Sequence, residues 1–246
     1  MELNNIIGVG AQATVYSSGK YAVKLFKENY DKSNVFYEAL INSKVENIGI
    51  AVPKVYEVIN VENKMAIKMD YIKGISLFDA IYKDIDNTAL YLEEMVKLQI
   101  AINSKKILLP FSLKYRLMYK IEQNDELTDT QKNKLLEQLN KLPDGNELCH
   151  GDFHGNNILI YDEKYWVIDW IDSTYGCPDG DVCRTYLIYY LYARELADIY
   201  LTLYCENTGK AKDRILAWLP VIAGARLSEN NSNEKEILLS LINANF

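Results

Sequence analysis

Residues 21–26, Tyr-Ala-Val-Lys-Leu-Phe, alternate in direction, with Ala22, Lys24 and Phe26 on one face and Tyr21, Val23 and Leu25 on the other. A period of two predicts a strand. Two more apolar runs, 55–61 and 65–71, flank the turn-prone 62–64 and predict a strand pair. Between them, residues 33–47 carry apolar side chains at helical spacing, Phe36 and Leu40 beside Val35 and Ala39. Pro53 turns the chain out of that helix.

The pattern changes after Gly74. Ser76 is placed to cap a helix over 77–84. Tyr91, Met95, Leu98 and Ile102 recur at steps of three and four and predict a longer helix. Thr128 and Gln131 form a capping-box signature ahead of 134–139. A strand-like interlude, 148–170, follows, and helices resume from Asp181. These elements predict an α+β, two-lobed chain. The N-lobe, 1–72, is a small antiparallel β-sheet with one helix; the C-lobe, 73–246, is larger and mainly helical. A cleft between such lobes is where a ligand would sit.

Composition narrows the function classes. Among 246 residues, 27 are basic and 34 acidic, a net charge of −7. A nucleic-acid binder needs a basic footprint, so none is expected, and the acidic balance favours a neutral or cationic small-molecule partner. The N-terminus lacks the basic start and apolar core of a signal peptide. The apolar stretch 182–205 is broken by Arg184, Arg194, Glu195 and Asp198, so no membrane span is expected. The cysteines at 149, 177, 183 and 205 form no CxxC pair, which fits reduced thiols in a cytoplasm. The aromatic-rich stretch 186–204 is expected in the core, consistent with a monomer or weak dimer.

Three segments carry candidate chemistry. Gly8 and Gly10, in Ile-Ile-Gly-Val-Gly-Ala-Gln-Ala-Thr, let a backbone approach phosphates closely, although a plain hairpin uses glycines too. The β-branched and aromatic Thr14–Tyr16 that follow exclude the helix a dinucleotide fingerprint needs. Lys24 lies mid-strand among apolar residues. It is either an edge-strand lysine reaching water or a phosphate ligand held by a carboxylate, and Glu38 is the only acid in the first three turns of the next helix. The third segment, Cys-His-Gly-Asp-Phe-His-Gly-Asn-Asn-Ile-Leu at 149–159, holds both histidines of the chain. Asp152 and Asn157 lie on this loop, and Asp169 closes the apolar run 166–168. A carboxamide and a carboxylate suit Mg²⁺, leaving Asp152 to orient a hydroxyl and take its proton. Ordinary turn chemistry accounts for the same residue types one by one.

Taken together, these motifs resemble the aminoglycoside phosphotransferase and choline kinase-like family of the protein-kinase-like fold. The match is closest to the bacterial aminoglycoside phosphotransferase branch. His150-Gly151-Asp152, four residues and then Asn157 resemble its catalytic loop. Gly8 and Gly10 with Lys24, the hinge-like 68–71, the segment 168–170 and the Cys-Pro-Asp-Gly-Asp-Val-Cys-Arg run at 177–184 follow in the family's order. The resemblance implies ATP, or GTP in its place, with Mg²⁺, and transfer of the γ-phosphoryl group to a small-molecule hydroxyl. It implies Asp152 as catalytic carboxylate, Asn157 and Asp169 as magnesium ligands, and Lys24 paired with Glu38 on the phosphates. Gly8 to Ala13 would cover those phosphates. Ala22, Val15, Leu159 and Ile168 would enclose the adenine, and the hinge Met69, Asp70 and Ile72 would bond it through backbone groups. His150 and Asp181 would brace the catalytic loop. Departures are Ala13 at the third loop glycine, Gly155-Asn156 after His154, and Trp170 with no glycine after it. Within this class an amino sugar competes with choline, ethanolamine, thiamine or a sugar alcohol. A protein kinase and a regulatory pseudokinase are the readings outside it.

Overall fold

In the computed structural model, which describes residues 3 and 5–244, strands β1 (Asn5–Val9), β2 (Ala13–Ser18), β3 (Tyr21–Phe26), β4 (Val55–Val61) and β5 (Lys64–Asp70) pair antiparallel in the order β1-β2-β3-β5-β4. Glu62 and Asn63 take positive φ, 50° and 65°, so a tight two-residue turn closes the β4–β5 hairpin. β3 is the middle strand, which removes the edge-strand reading of Lys24. Helix α1 (Lys32–Val45) is capped by Asp31, whose carboxylate accepts the Ser33 amide at 2.7 Å. It lays Val35 into a core with Ala13, Phe26 and Ile67. Phe36 and Leu40, the neighbouring apolar pair, are left exposed.

The same compact unit, 1–83 with 155–171, contains β6 (Ile75–Ser76), α2 (Leu77–Lys83) and the β8 (Ile158–Tyr161)–β9 (Lys164–Val167) hairpin. The expected boundary at 72–73 lies inside it. Ser76 does cap α2, its hydroxyl accepting the Asp79 amide at 3.0 Å. β6, β8 and β9 form a three-stranded sheet, and the Val167 amide bonds the Ala51 carbonyl at 2.9 Å.

The second unit, 84–154 with 172–246, holds α3 (Thr88–Asn103), α4 (Leu113–Glu122), α5 (Asp129–Lys141), α6 (Pro178–Tyr192), α7 (Arg194–Thr208), α8 (Lys212–Leu216), α9 (Leu219–Arg226) and α10 (Lys235–Asn243). It also holds the short pair β7 (Glu147–Cys149) and β10 (Thr174–Gly176). The capping box at Thr128 and Gln131 forms as expected and starts α5. Helix α6 begins at Pro178, three residues before the expected Asp181, because proline is preorganised for a first helical turn. Asp179 in that turn is fully buried and held by Lys210 and Arg214, both at 2.5 Å, tying α6 to the start of α8. Tyr186, Leu187, Tyr189, Tyr200 and Tyr204 are buried, so the aromatic stretch is largely core, while Tyr192 is exposed. All four cysteines are free thiols.

Candidate active site

In the first unit, the charged centre is built around β3. Lys24 Nζ donates to Glu38 Oε1 at 2.6 Å and to Asp169 Oδ1 at 3.2 Å. The Glu38 side chain is 3% exposed, that of Lys24 18% and that of Asp169 40%, so the pair is buried and Asp169 opens to solvent. Burial works against the ammonium form of Lys24, but the Asp169 and Glu38 carboxylates outweigh it and hold the pKa above its ordinary value. This is the carboxylate-held lysine that the sequence left as one of two options.

Asp169 follows β9 with φ 62°, a left-handed conformation that aspartate tolerates better than most residues. Behind it Trp170 is fully buried and its indole N–H bonds the Val167 carbonyl at 3.0 Å, which anchors the turn. Asn157 ends a short 3₁₀ turn just before β8, and its carbonyl accepts the Ile168 amide at 3.0 Å. The β8–β9 hairpin thus sets the backbone of Asn157 beside that of Ile168, one residue from Asp169. Two hard oxygen-bearing side chains are held by one hairpin, a donor set that fits a small divalent cation completed by water and phosphate.

The remaining residues expected around a nucleotide belong to this unit as well. Ala22 is buried; Val15, Met69, Leu159 and Ile168 are half-buried. Backbone pairing commits part of the expected hinge: the Asp70 amide donates to the Lys54 carbonyl at 2.9 Å. The Asp70 carboxylate accepts the Lys54 amide at 3.0 Å and the Tyr56 hydroxyl at 2.9 Å. At the β1–β2 turn the Gly10 amide bonds the Ala13 carbonyl at 2.8 Å. A Cβ placed on Gly8 would meet only Val15, at 3.7 Å, an ordinary contact. Gly8 also follows a register shift in the β1–β2 pairing, where glycine is common.

Asp152 belongs to the second unit, on the loop after β7. Gly151 has φ 83°, and its amide donates to Asp181 Oδ1 at 2.8 Å. Asp181 is buried in the first turn of α6 and also accepts from Gln99 at 3.2 Å and Asn103 at 3.0 Å. His150 is fully buried; its Nδ1 accepts the Asp152 amide at 3.2 Å, and Ser173 donates to its carbonyl at 3.2 Å. Both residues therefore hold the loop, as the resemblance implies. The Asp152 side chain is 29% exposed, with His154 Nε2 3.3 Å from Oδ2 and Arg184 Nη2 3.7 Å from Oδ1. Burial alone would raise its pKa, but the His154 hydrogen bond and the nearby Arg184 charge pull it far below the usual carboxylate range.

Beside this loop, within the same unit, lies a cavity of about 420 Å³, counting space open to solvent, with Leu113, Leu117, Ile222 and Ala225 among its apolar lining. Its charged lining was not read from the sequence. Lys120, Arg184 and Arg226 surround Glu229 at 3.2, 3.0 and 2.5 Å, and Arg116 pairs with Asp172 at 3.0 Å. Burial would raise the Glu229 pKa, but Arg184, Lys120 and Arg226 overcome this and lower it. Arg184 had a sequence signal, as the last residue of the 177–184 run; Arg116 and Lys120 lie one turn apart on α4 and Arg226 ends α9, with no motif to mark them.

Residues 10–218 match the phosphotransferase enzyme family. No curated protein matches the chain significantly. A solved structure of a thermostable mutant of aminoglycoside phosphotransferase APH(4)-Ia is similar with a TM-score of 0.74 at 14% identity, covering 97% of this chain and 92% of that one. A further structure of that mutant protein is a ternary complex with ADP and hygromycin B. A choline/ethanolamine kinase family protein from Mesorhizobium loti gives a TM-score of 0.61 at 15% identity over 99% and 85% of the two chains. The streptomycin–ATP–APH(2")-IIa complex gives 0.61 at 19% over 98% and 91%. These likenesses establish the fold, the two-lobed, protein-kinase-like α+β fold that the motifs implied. Among the described residues, no helix is long and apolar enough to cross a membrane.

Proposed function

We propose that this chain, which belongs to the phosphotransferase enzyme family, transfers the γ-phosphoryl group of ATP to a hydroxyl of a small molecule in the cytoplasm. The observation that carries the reading is Lys24 held between the buried Glu38 and the partly exposed Asp169. A lysine so fixed presents a preorganised positive charge to nucleotide phosphates, and phosphoryl transfer depends chiefly on positioning and charge neutralisation. ADP, ATP and AMP-PNP complexes among the similar structures support a nucleotide here, with GTP as the alternative to ATP.

The glycine turn before Ala13 would cover the phosphates with backbone amides. Ala22, Val15, Leu159 and Ile168 would sandwich the purine, and Met69, the Asp70 carbonyl and the Ile72 backbone would border it. Asn157 and Asp169 would hold Mg²⁺, which when bound neutralises phosphate charge. Asp152 stays ionised at neutral pH, oriented by His154 and Arg184. Its weak basicity suits a late proton transfer, after the acceptor hydroxyl has been aligned.

The loop His150-Gly151-Asp152 speaks for an amino sugar or related alcohol over choline, ethanolamine or thiamine. The whole-chain charge of −7 speaks for a neutral or cationic acceptor, but net charge is a poor guide to a single cavity. The test is Asp152→Asn. Transfer from radiolabelled ATP should fall by roughly 10²-fold or more while nucleotide affinity stays within about 3-fold. Unchanged turnover would remove Asp152 from the reaction.

A further inference from the structure

The charges around the cavity beside Asp152 do not suit a polycation. Four basic side chains line it, Arg116, Lys120, Arg184 and Arg226, against Asp172, Asp181 and Glu229. Asp181 is 1% exposed and turned inward to Gly151, Gln99 and Asn103. Asp172 already pairs with Arg116 at 3.0 Å. Glu229 is the lining carboxylate that faces three of the cations, at 3.2, 3.0 and 2.5 Å, while Glu234 also holds Arg226 at 2.7 Å and Asp152 lies 3.7 Å from Arg184. An incoming ammonium group would therefore compete with a cation for every carboxylate on this wall, whereas an incoming anion would meet four basic side chains on the lining against three acidic ones, of which Asp181 is turned inward.

The donors are also well placed. Side-chain exposures of 28% for Lys120, 11% for Arg184 and 13% for Arg226 leave them partly desolvated, where charge-assisted hydrogen bonds are strong. Arg226 is fixed from behind by the buried Glu234, with two bonds of 2.7 Å. Arg184 reaches from Glu229 to the Gly151 carbonyl, at 3.3 Å, and toward Asp152. A group bound between Lys120 and Arg184 is therefore anchored one side chain away from the carboxylate that would take the hydroxyl proton.

We propose that the acceptor carries an anionic group, a carboxylate or a phosphate, in addition to the hydroxyl, and that Lys120, Arg184 and Arg226 receive it. This rests on the phosphotransferase reading above and replaces the amino sugar as its acceptor. Glu229 holds the same three cations in the free protein and shares them with the ligand's anion when it binds. The apolar wall beside them takes the carbon skeleton.

The test uses the full chain with Mg²⁺ and radiolabelled ATP and a panel in four arms: hydroxy acids such as glycerate, hydroxy phosphates such as glycerol 3-phosphate, uncharged polyols such as glycerol, and aminoglycosides with choline. Binding of the same compounds is measured by calorimetry with a non-hydrolysable ATP analogue present. One anionic arm should bind and react with kcat/KM about 10-fold or more above its uncharged analogue, as expected for a charge-assisted bond, and which arm does so identifies the anion. Lys120→Gln should then raise KM for the best anionic acceptor about 10-fold while kcat stays within about 3-fold. An aminoglycoside, choline or a polyol preferred over every anionic compound would overturn the proposal, as would no binding in either anionic arm, or a Lys120→Gln KM within about 2-fold of the parent. Nucleotide binding and slow Mg²⁺-dependent ATP hydrolysis without acceptor test the phosphotransferase reading separately. Their presence alongside a failed anionic arm sinks only the inference about the acceptor.

Discussion

Replacing Lys24 with methionine removes the cation that pairs with the Glu38 carboxylate at 2.6 Å. Glu38 is 3% exposed, so its charge would be left in a poorly solvated place. Deleting one partner of a buried pair costs about 3–5 kcal/mol. Asp169, 40% exposed, recovers water and adds little, so the low end, about 3 kcal/mol, is expected. At roughly 2–4 °C per kcal/mol for a chain of this size, Lys24→Met should melt about 6–12 °C lower. Glu38→Gln keeps an acceptor for Lys24 and should cost only about 1–2 kcal/mol. The double variant Lys24→Met/Glu38→Leu removes the stranded charge, so the two substitutions should couple by about 2 kcal/mol or more in the favourable direction. Thermal and urea unfolding at pH 7 read all three. A Lys24→Met midpoint unchanged at pH 7, or penalties that simply add, would refute the argument that the pair is buried and mutually dependent.

Other outcomes follow from single contacts. Gly151→Ala puts a Cβ 2.4 Å from the Asp172 carbonyl at a residue with φ 83°, so we expect about 2 kcal/mol lost and transfer reduced with it, seen by unfolding and turnover side by side. Thr128→Ala removes the cap of α5 and should cost about 1 kcal/mol by urea unfolding, with turnover unaffected. The carboxyls of Asp152, Asp179, Glu229 and Glu234 all have lowered pKa values in the folded chain. Their contribution is present above the unfolded values of about 3.9 and 4.3 and is lost as pH falls through and below them. The urea midpoint should therefore decline below about pH 4.

Much of the first unit was legible because its signals are local. Alternation marked β3, and the apolar run 166–168 placed Asp169 at a strand end. Position in the sheet was not legible. Whether Lys24 lay on an edge depended on β5 pairing with β3, and a period of two carries no strand order. Phe36 and Leu40 also show the limit: helical spacing marks a face as apolar without saying that anything covers it. The cavity cations were illegible for a different reason. Arg226 and Glu229 are only three residues apart, but Lys120 comes from α4; each reads alone as an ordinary surface charge, and only tertiary packing brings Lys120 to that pair.

The first unit is assembled from two stretches of chain, 1–83 and 155–171, with the whole of 84–154 synthesised in between. Until residue 171 leaves the ribosome, β6 lacks its partner β8, the Ala51 carbonyl lacks the Val167 amide, and Lys24 faces Glu38 without Asp169. At translation speeds of about 5–20 residues per second the nascent amino-terminal third waits several seconds in that unfinished state. Expression of 1–83 alone would leave β6 without β8 and β9 permanently, so the protein cannot be divided after residue 83 into two self-sufficient parts.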